Sequence, residues 1–384
     1  MKNIGRVVRL SVVLLVLVSP ALQAATISLE VSGDTALSAA LSTYNDAHST
    51  AYVDTDGGAS LGANDIEVSG SGVLTFSRPL GSWTGNLTVS SGAKVRAVVN
   101  ETTVLGNATQ GAAFVASGAA LIVDHSVNVG NGHAIVRTIH IAGDGQTAGE
   151  NGALKLIGNN TSLRSAVPMK LQLDDDAVLC FGSAGASGNQ DHQFIADNGQ
   201  EWNLSGHRLT ITTAGWPHAT RPTFFYGMKV SGGGHLVHDG VSVIFRAATI
   251  EGGAENTFTI RNGATVEFQS SFYPPAWTLK LEETASFNWG LNDGNDHALG
   301  GDNLRIWKGP VETPKTINLV DRTSGKTDVI GFAERVTGAG GILVSAPEGQ
   351  RANKQFDLRG AGSDFTGGLC VSNFDNVAKS GMRS

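Results

Sequence analysis

The sequence predicts an all-β fold: a right-handed parallel β-helix (β-solenoid) that begins with a short capping helix. Three observations predict it. Glycine supplies 50 of the 384 residues, charged residues make up only 16% of the chain, and short stretches in which apolar and polar residues alternate recur along it. Long helices need charged, alanine- and leucine-rich stretches with few glycines. Valine, threonine and serine accompany glycine here, and they favour short strands and turns.

The N-terminus is typical of a secretory signal peptide over residues 1–24. A basic start with Lys2, Arg6 and Arg9 precedes the apolar run 10–18, which only Ser11 interrupts, and small residues lead to the predicted cleavage after Ala24. That run is too short to cross a bilayer, which takes about 20 residues, and no later segment approaches such a length. We therefore expect an exported chain with no membrane span after cleavage.

The charge balance bears on the class of partner. Twenty-seven Lys and Arg stand against 34 Asp and Glu, a formal net charge of −7 at pH 7, and no basic run occurs. Nucleic-acid binding needs clustered positive charge to contact phosphates. The sequence therefore predicts no nucleic-acid partner.

The predicted N-terminal segment, residues 25–67, carries a helical pattern that predicts a helix over 33–46. Asp34 or Thr35 is placed to cap that helix. The apolar residues that define the pattern are Leu37, Ala40, Leu41 and Tyr44. A solenoid end exposes unpaired backbone and apolar core, so we interpret this helix as a cap over that end.

A repeated pattern organises the predicted solenoid of residues 68–384. In each copy, apolar residues stand two apart, a glycine and an alanine form a corner, and apolar residues then stand two apart again. The two clearest copies are Leu87, Val89, Gly92-Ala93, Val95, Ala97 and Phe258, Ile260, Gly263-Ala264, Val266, Phe268. Weaker copies lie at 113–123, 171–181, 237–245 and 279–289. The alternation buries one face of each strand, and glycine allows the corner.

The spacing of the corners predicts the size of one solenoid turn. Corners at 241, 264 and 285 lie 23 and 21 residues apart, which suits three short strands per turn, whereas propeller blades need about 40–50 residues. A β-sandwich array is the alternative fold, since strands 8–12 residues apart would also suit it. Few hairpin turns with matched flanking strands occur here, which favours the solenoid.

The sequence contains two cysteines, so one disulfide bond within the chain is possible. Cys180 and Cys370 both lie in strand-like runs. An exported protein can form disulfides, but distant turns of a solenoid rarely touch. The pattern favours small apolar packing residues.

Glycine-rich stretches also resemble a known family. They alternate strand residues with glycine turns at 68–77, 83–94, 139–159, 230–241, 336–346 and 358–373. These stretches resemble autotransporter-associated β-strand repeats of secreted bacterial proteins. The resemblance implies a β-helical passenger, secreted or presented at the outer cell surface of a Gram-negative-type bacterium. The sequence leaves the mode of attachment open.

The functional expectation follows from the repeat and the resemblance. We predict a binding, adhesion or structural role, with surface glycans or other cell-surface components as partners, and we expect no catalytic residue and no cofactor. The alternative is a polysaccharide-cleaving, pectate-lyase-like β-helix enzyme. That chemistry needs paired carboxylates facing one sugar, and no such pair is selected by the pattern.

Three polar clusters contain residue types that could bind a metal ion. The run 174–176 is three aspartates, and hard cations prefer such oxygens, but its position at a corner of the repeat favours a solvated turn. His235, His238 and Asp239 suggest zinc, yet the two histidines should point to opposite strand faces, and a polar turn is the favoured interpretation. Glutamates 282–283 fall at another corner. We therefore predict no metal site.

Two tryptophans are the predicted ligand contacts. Trp216 and Trp277 fall in the irregular segments 214–226 and 270–278, and a third such segment is 183–200. Aromatic rings can stack on sugars, and loops on a rigid scaffold often carry function.

Overall fold

We describe a computed structural model of the chain. The residues it describes are 24–55, 60–98, 104–106, 110–125, 135, 137–145, 152–158, 170–181, 193–195, 200–213, 223–246, 248–268, 275–282, 285–289, 304–314, 317–321, 329–345, 355–372 and 376–377. The predicted signal peptide lies outside these residues except for Ala24.

The chain is mostly β, with 52% strand and one helix in the described part. The strands form three sheets, with 21, 8 and 4 strands. Within each sheet, the described pairs of neighbouring strands are all parallel. A large parallel sheet of this kind is consistent with a β-solenoid.

The large sheet holds most of the N-terminal two thirds of the chain. Its strands are β1 (Thr26–Val31), β2 (Asp34–Ala36), β3 (Asp65–Gly70), β4 (Val73–Phe76), β5 (Leu87–Val89), β6 (Lys94–Val98), β7 (Ala112–Val115), β8 (Ala120–His125), β9 (Thr138–Gly143), β10 (Leu154–Gly158), β11 (Lys170–Phe181), β13 (Glu201–Asn203), β14 (Arg208–Thr213), β16 (Lys229–Ser231), β17 (His235–Asp239), β19 (Thr249–Ile250), β20 (Thr257–Arg261), β22 (Thr278–Leu281), β25 (Val311–Glu312), β28 (Val336–Gly338) and β31 (Asp364–Phe365).

The two smaller sheets interleave with it along the chain. The second sheet contains β12 (Gln193–Ile195), β15 (Thr223–Tyr226), β18 (Val243–Arg246), β21 (Thr265–Phe268), β23 (Ser286–Trp289), β26 (Ile317–Asp321), β29 (Ile342–Ser345) and β32 (Leu369–Ser372). The third contains β24 (Leu304–Trp307), β27 (Val329–Phe332), β30 (Gln355–Leu358) and β33 (Asn376–Val377).

Paired residues recur at the predicted spacing where the turns are short. His238 pairs with Ile260, 22 residues later, and Ile260 pairs with Leu281, 21 residues later. Elsewhere the intervening segments are longer, so Ile139 pairs with Leu171, 32 residues on. Strand pairing therefore holds its register while the connections vary in length.

One buried row crosses nine strands of the large sheet, and we call it the central ladder. In order of pairing its members are Leu74, Val95, Leu121, Leu154, Leu179, Ile211, His238, Ile260 and Leu281. Each has 0% exposed surface. Eight of the nine are aliphatic, so from Leu74 to Ile211 each strand buries an aliphatic residue against aliphatic residues of its ladder neighbours, and His238 is the exception.

The residues predicted to face inward are buried. Leu87, Val89, Ala93, Val95 and Ala97 have no exposed surface, and the matching set from Phe258 to Phe268 is exposed by 1% at most. The apolar residues of both clear copies of the repeat lie in one hydrophobic core.

The prediction was wrong for β17, where Val237 was placed in the inward row. Val237 is buried, but His238 is the residue that pairs with Ile260 and enters the central ladder. Two residues separate His238 from the small corner residue Val241, whereas three separate Ile260 from Ala264. This shorter turn shifts the strand by one position, and a shift of one exchanges the two faces.

The aspartate run 174–176 is also not a turn between two strands. β11 continues through it, with a register shift between Leu173 and Ala177 against β9. Here Leu173 pairs with Ile141 and Ala177 with Gly143, so three aspartates stand opposite one residue. The segment is a β-bulge, which turns its side chains out of the regular alternation.

The helix, α1 (Leu37–His48), is present but begins later than predicted. Asp34 and Thr35 do not cap it, because both belong to β2, which pairs with β4. The residue preceding the helix is Ala36, which makes no side-chain capping hydrogen bond.

The buried side of α1 faces the first strands. Leu37 and Leu41 are buried, and the helix contacts β1, β2 and β4. Its end at Ser49 takes a left-handed conformation with φ 54°, and the Ser49 N–H donates to the Asn45 carbonyl. With 12 residues, this helix of the described part is not long and apolar enough to cross a membrane.

The possible disulfide is not formed. Cys180 is buried on β11 and Cys370 is exposed on β32, and the two are not bonded to each other. The core is therefore held by packing along the rows.

Substitution within the central ladder should destabilise the whole stack. We expect Ile211→Ala to lower the free energy of unfolding by about 2–5 kcal/mol, because it leaves a cavity between two packed neighbours. Thr210→Ala on the same strand is the matched control and should change it by less than about 0.5 kcal/mol. Urea unfolding followed by circular dichroism measures both, and equal effects would contradict the ladder.

Candidate functional site

A row of outward side chains crosses four neighbouring strands of the large sheet, and we call it the outer strip. Its members are Phe114 on β7, His140 on β9, Gln172 on β11 and Asn203 on β13, which pair in that order. The residues before them, Ala113, Ile139, Leu171 and Trp202, are buried, so alternation turns the strip outward. With strands about 4.8 Å apart, the row spans about 14 Å.

Phe114 gives the strip an exposed aromatic ring. Its exposed fraction is 36%, and Val53 is the other large hydrophobic residue with comparable exposure in the described part of the chain. The ring packs against His140 with centroids 4.6 Å apart and planes 33° apart. The two rings therefore lie against each other across neighbouring strands on the outside of the sheet.

His140 is held by a carboxylate from the β-bulge. Its Nδ1 lies 2.9 Å and 3.2 Å from the two carboxylate oxygens of Asp174. We assign the proton to Nδ1, because a carboxylate accepts and does not donate. The His140 side chain retains a quarter of its surface in solvent.

The other end of the outer strip is fixed by side-chain hydrogen bonds. The Nε2 of Gln172 donates to the Oγ of Ser205 and to the Leu173 carbonyl. The N–H of Ser205 donates to Asn203 Oδ1 at 3.0 Å, and its hydroxyl does so at 3.3 Å. These bonds hold both amides in defined orientations on the surface.

The remaining bulge carboxylates lie beside the strip. Asp176 accepts hydrogen bonds from the N–H and the guanidinium of Arg208, both at 2.8 Å. A carboxylate oxygen of Asp175 lies 3.9 Å from His207 Nδ1, and the ligand atoms of these two aspartates and His207 lie within 4.8 Å of one another. The groups are exposed or half-buried and already paired with cationic or imidazole partners, which fits a solvated, charge-compensated bulge.

The two histidines of β17 face opposite sides of the strand, as predicted. They lie in a strand, however, and not in the polar turn that the sequence suggested. His235 is exposed and its Nδ1 lies 2.9 Å from the Thr257 hydroxyl. His238 is fully buried against Phe245 and Phe258. Asp239 instead pairs with an arginine of β20, at 2.8 Å. These residues do not converge on one ligand.

The environment of His238 has an electrostatic consequence. Neither imidazole nitrogen has a hydrogen-bond partner among the residues described. Burial lowers the pKa of His238 from 6.5 to about 3, because a charged imidazolium would lose its hydration. The ring is therefore neutral in the folded chain at ordinary pH.

The predicted ligand contacts are not supported at Trp277. Its side chain has 0% exposed surface, and its Nε1 donates to the Glu251 carbonyl at 3.0 Å. The Nε1 of Trp307 in turn donates to the Trp277 carbonyl at 2.8 Å. Trp277 thus packs in the core and joins successive turns, without a ring face open to solvent. Trp216 and Glu283 lie outside the described residues.

Sequence reasoning missed the outer strip, although one signal pointed to it. Phe114 is a large aromatic residue at an outward position of a weak repeat copy, where the clear copies have Thr88 and Thr259. His140 and Asp174 are 34 residues apart, and only the pairing of β9 with β11 brings them together.

Comparisons with known proteins were made for the whole chain. No family model, no curated protein and no solved structure matches it. The resemblance to autotransporter-associated repeats therefore stays a prediction from the sequence.

The buried imidazole predicts a pH dependence of stability. As pH falls from 6.5 towards 3, the unfolded chain binds a proton at His238 that the folded chain does not, so the folded state loses stability over that range. We expect His238→Leu to remove this loss and to raise the urea midpoint more at pH 5 than at pH 7.5.

The control for this measurement is Ile260→Val, which trims the residue paired with His238 and carries no titratable group. It should lower the urea midpoint by a similar amount at pH 5 and at pH 7.5. An unchanged pH dependence in His238→Leu would contradict the buried, unpartnered state of this ring.

Proposed function

We propose that this chain is an exported right-handed parallel β-helix with a binding, adhesion or structural role at, or released from, the outer surface of a Gram-negative-type bacterium. The central ladder carries the proposal. A row of buried residues continuous over nine strands suits a long, stiff body that displays outward rows of side chains at regular intervals.

The position of α1 supports the capped form of this fold. β1 pairs with β3 and β2 pairs with β4, and no further partner occurs for either strand in the described part. These are therefore the strands at which the stack begins, and α1 contacts both. A helix there would cover apolar core and block edge-to-edge pairing with another chain.

The sequence supplies the rest of the support. Residues 1–24 are typical of a signal peptide, and the glycine-rich stretches between 68 and 373 resemble passenger repeats of secreted bacterial proteins. A stiff scaffold with functional side chains on its outside fits a role outside the cell.

Fractionation of bacteria that express the tagged chain tests the proposal. We expect a mature protein beginning at Ala25 that is found in the medium or is cleaved by protease added to intact cells. A variant without residues 1–24 is the control and should stay inside the cell.

Two outcomes would contradict this role. An uncleaved chain retained in the cytoplasm would refute export. Release of new reducing ends from polysaccharides by the purified mature chain would refute a role without turnover and favour the enzymatic alternative.

A further inference from the structure

We propose that the outer strip, together with Asp174, is a binding site for a neutral linear glycan. This inference rests on the proposed function, since it assumes that the chain meets extracellular polysaccharide. It assigns the contact to Phe114 and His140 in place of Trp277, which is buried.

The aromatic half of the strip fits the apolar face of a sugar ring. Phe114 is 36% exposed, and the His140 ring lies against it with centroids 4.6 Å apart. Aromatic surfaces combine a large apolar area with defined geometry. A pyranose has one face of C–H groups, and such a face packs on a flat ring without losing its equatorial hydroxyls to burial.

The polar half supplies hydrogen-bond acceptors for hydroxyl groups. Asp174 remains 48% exposed while it holds His140, so its carboxylate can accept further hydrogen bonds, which are strong when the acceptor is charged. The amide of Asn203 lies two strands beyond His140 and carries both a carbonyl and an amino group. The internal hydrogen bonds of Gln172 and Asn203 reduce the ordering cost of binding.

Charge selects among glycans. Asp174, Asp175 and Asp176 have side-chain exposures of 48%, 71% and 47%. Arg208 compensates the charge of Asp176, but the exposed carboxylates of Asp174 and Asp175 would repel polyuronates and phosphorylated polymers, and like charges brought together at a binding surface are costly. A neutral polymer meets no such penalty.

The strip is too small for a protein partner of ordinary affinity. It spans about 14 Å across the strands and offers one exposed large hydrophobic residue. A stable protein interface buries about 800 Å² on each partner around several such residues. A glycan chain running across the strands needs only a narrow row of repeated contacts.

Calorimetric titration of the full mature chain tests the site. The probes are neutral cello-, manno- and xylo-oligosaccharides, with oligogalacturonate as the acidic comparison. We expect at least one neutral probe to bind and the acidic probe to bind at least about tenfold more weakly, a difference of about 1.4 kcal/mol.

Variants locate the binding. Phe114→Ala should lower the affinity for the neutral probe by at least about tenfold. Phe114→Tyr should retain binding, because it keeps the aromatic ring. Val53→Ala is the matched control, since it removes the other exposed large hydrophobic residue, and it should bind as the parent does. Asp174→Asn should weaken binding as well, and circular dichroism checks that each variant is folded.

The proposal is overturned if no neutral probe binds, if oligogalacturonate binds more tightly, or if Phe114→Ala binds as well as Val53→Ala. These results are separate from the export test. A chain that reaches the cell surface and binds no glycan refutes this site alone, whereas an uncleaved cytoplasmic chain refutes the proposed function.

Discussion

In-register stacking of parallel strands is the constraint on which the rest of the structure depends. Each strand buries the same alternate positions as its neighbours, so the central ladder tolerates connections that differ in length by more than ten residues: Leu154 pairs with Leu121 and Leu281 with Ile260. A slip of one residue would exchange the buried and exposed faces of a strand. The outer strip exists for the same reason, because register aligns Phe114, His140, Gln172 and Asn203 on one face.

Among the buried polar side chains, Arg137 and His238 both have 0% exposed surface and are accommodated differently. The Arg137 guanidinium donates to the carbonyls of Gly85 and Trp83 and lies 4.2 Å from the Trp83 ring centroid. Burial lowers the pKa of Arg137 to about 10, so it stays charged and is compensated by these acceptors and the ring. His238 has no such partners in the described part and is neutral.

The inward rows could be predicted from the sequence, because residues that alternate between apolar and polar along a strand also alternate between buried and exposed. Leu87 and Phe258 are buried as this pattern predicts. The entry of His238 into the ladder could not be predicted, since it depends on a turn shorter by one residue. The late start of α1 follows from pairing of β2 with β4, which local helical spacing does not reveal. The outer strip joins residues from separate turns, and outward positions carry no periodic signal to mark them.

Disulfide trapping tests the in-register stack most directly. Glu67 and Thr88 face each other on β3 and β5, and adjacent strands place Cα atoms about 4.8 Å apart, within the range that a disulfide accepts. In a chain with Cys180→Ala and Cys370→Ala, the pair Glu67→Cys and Thr88→Cys should oxidise readily. Glu67→Cys with Ser90→Cys, two residues out of register, should not. Equal or reversed cross-linking would contradict the stacking.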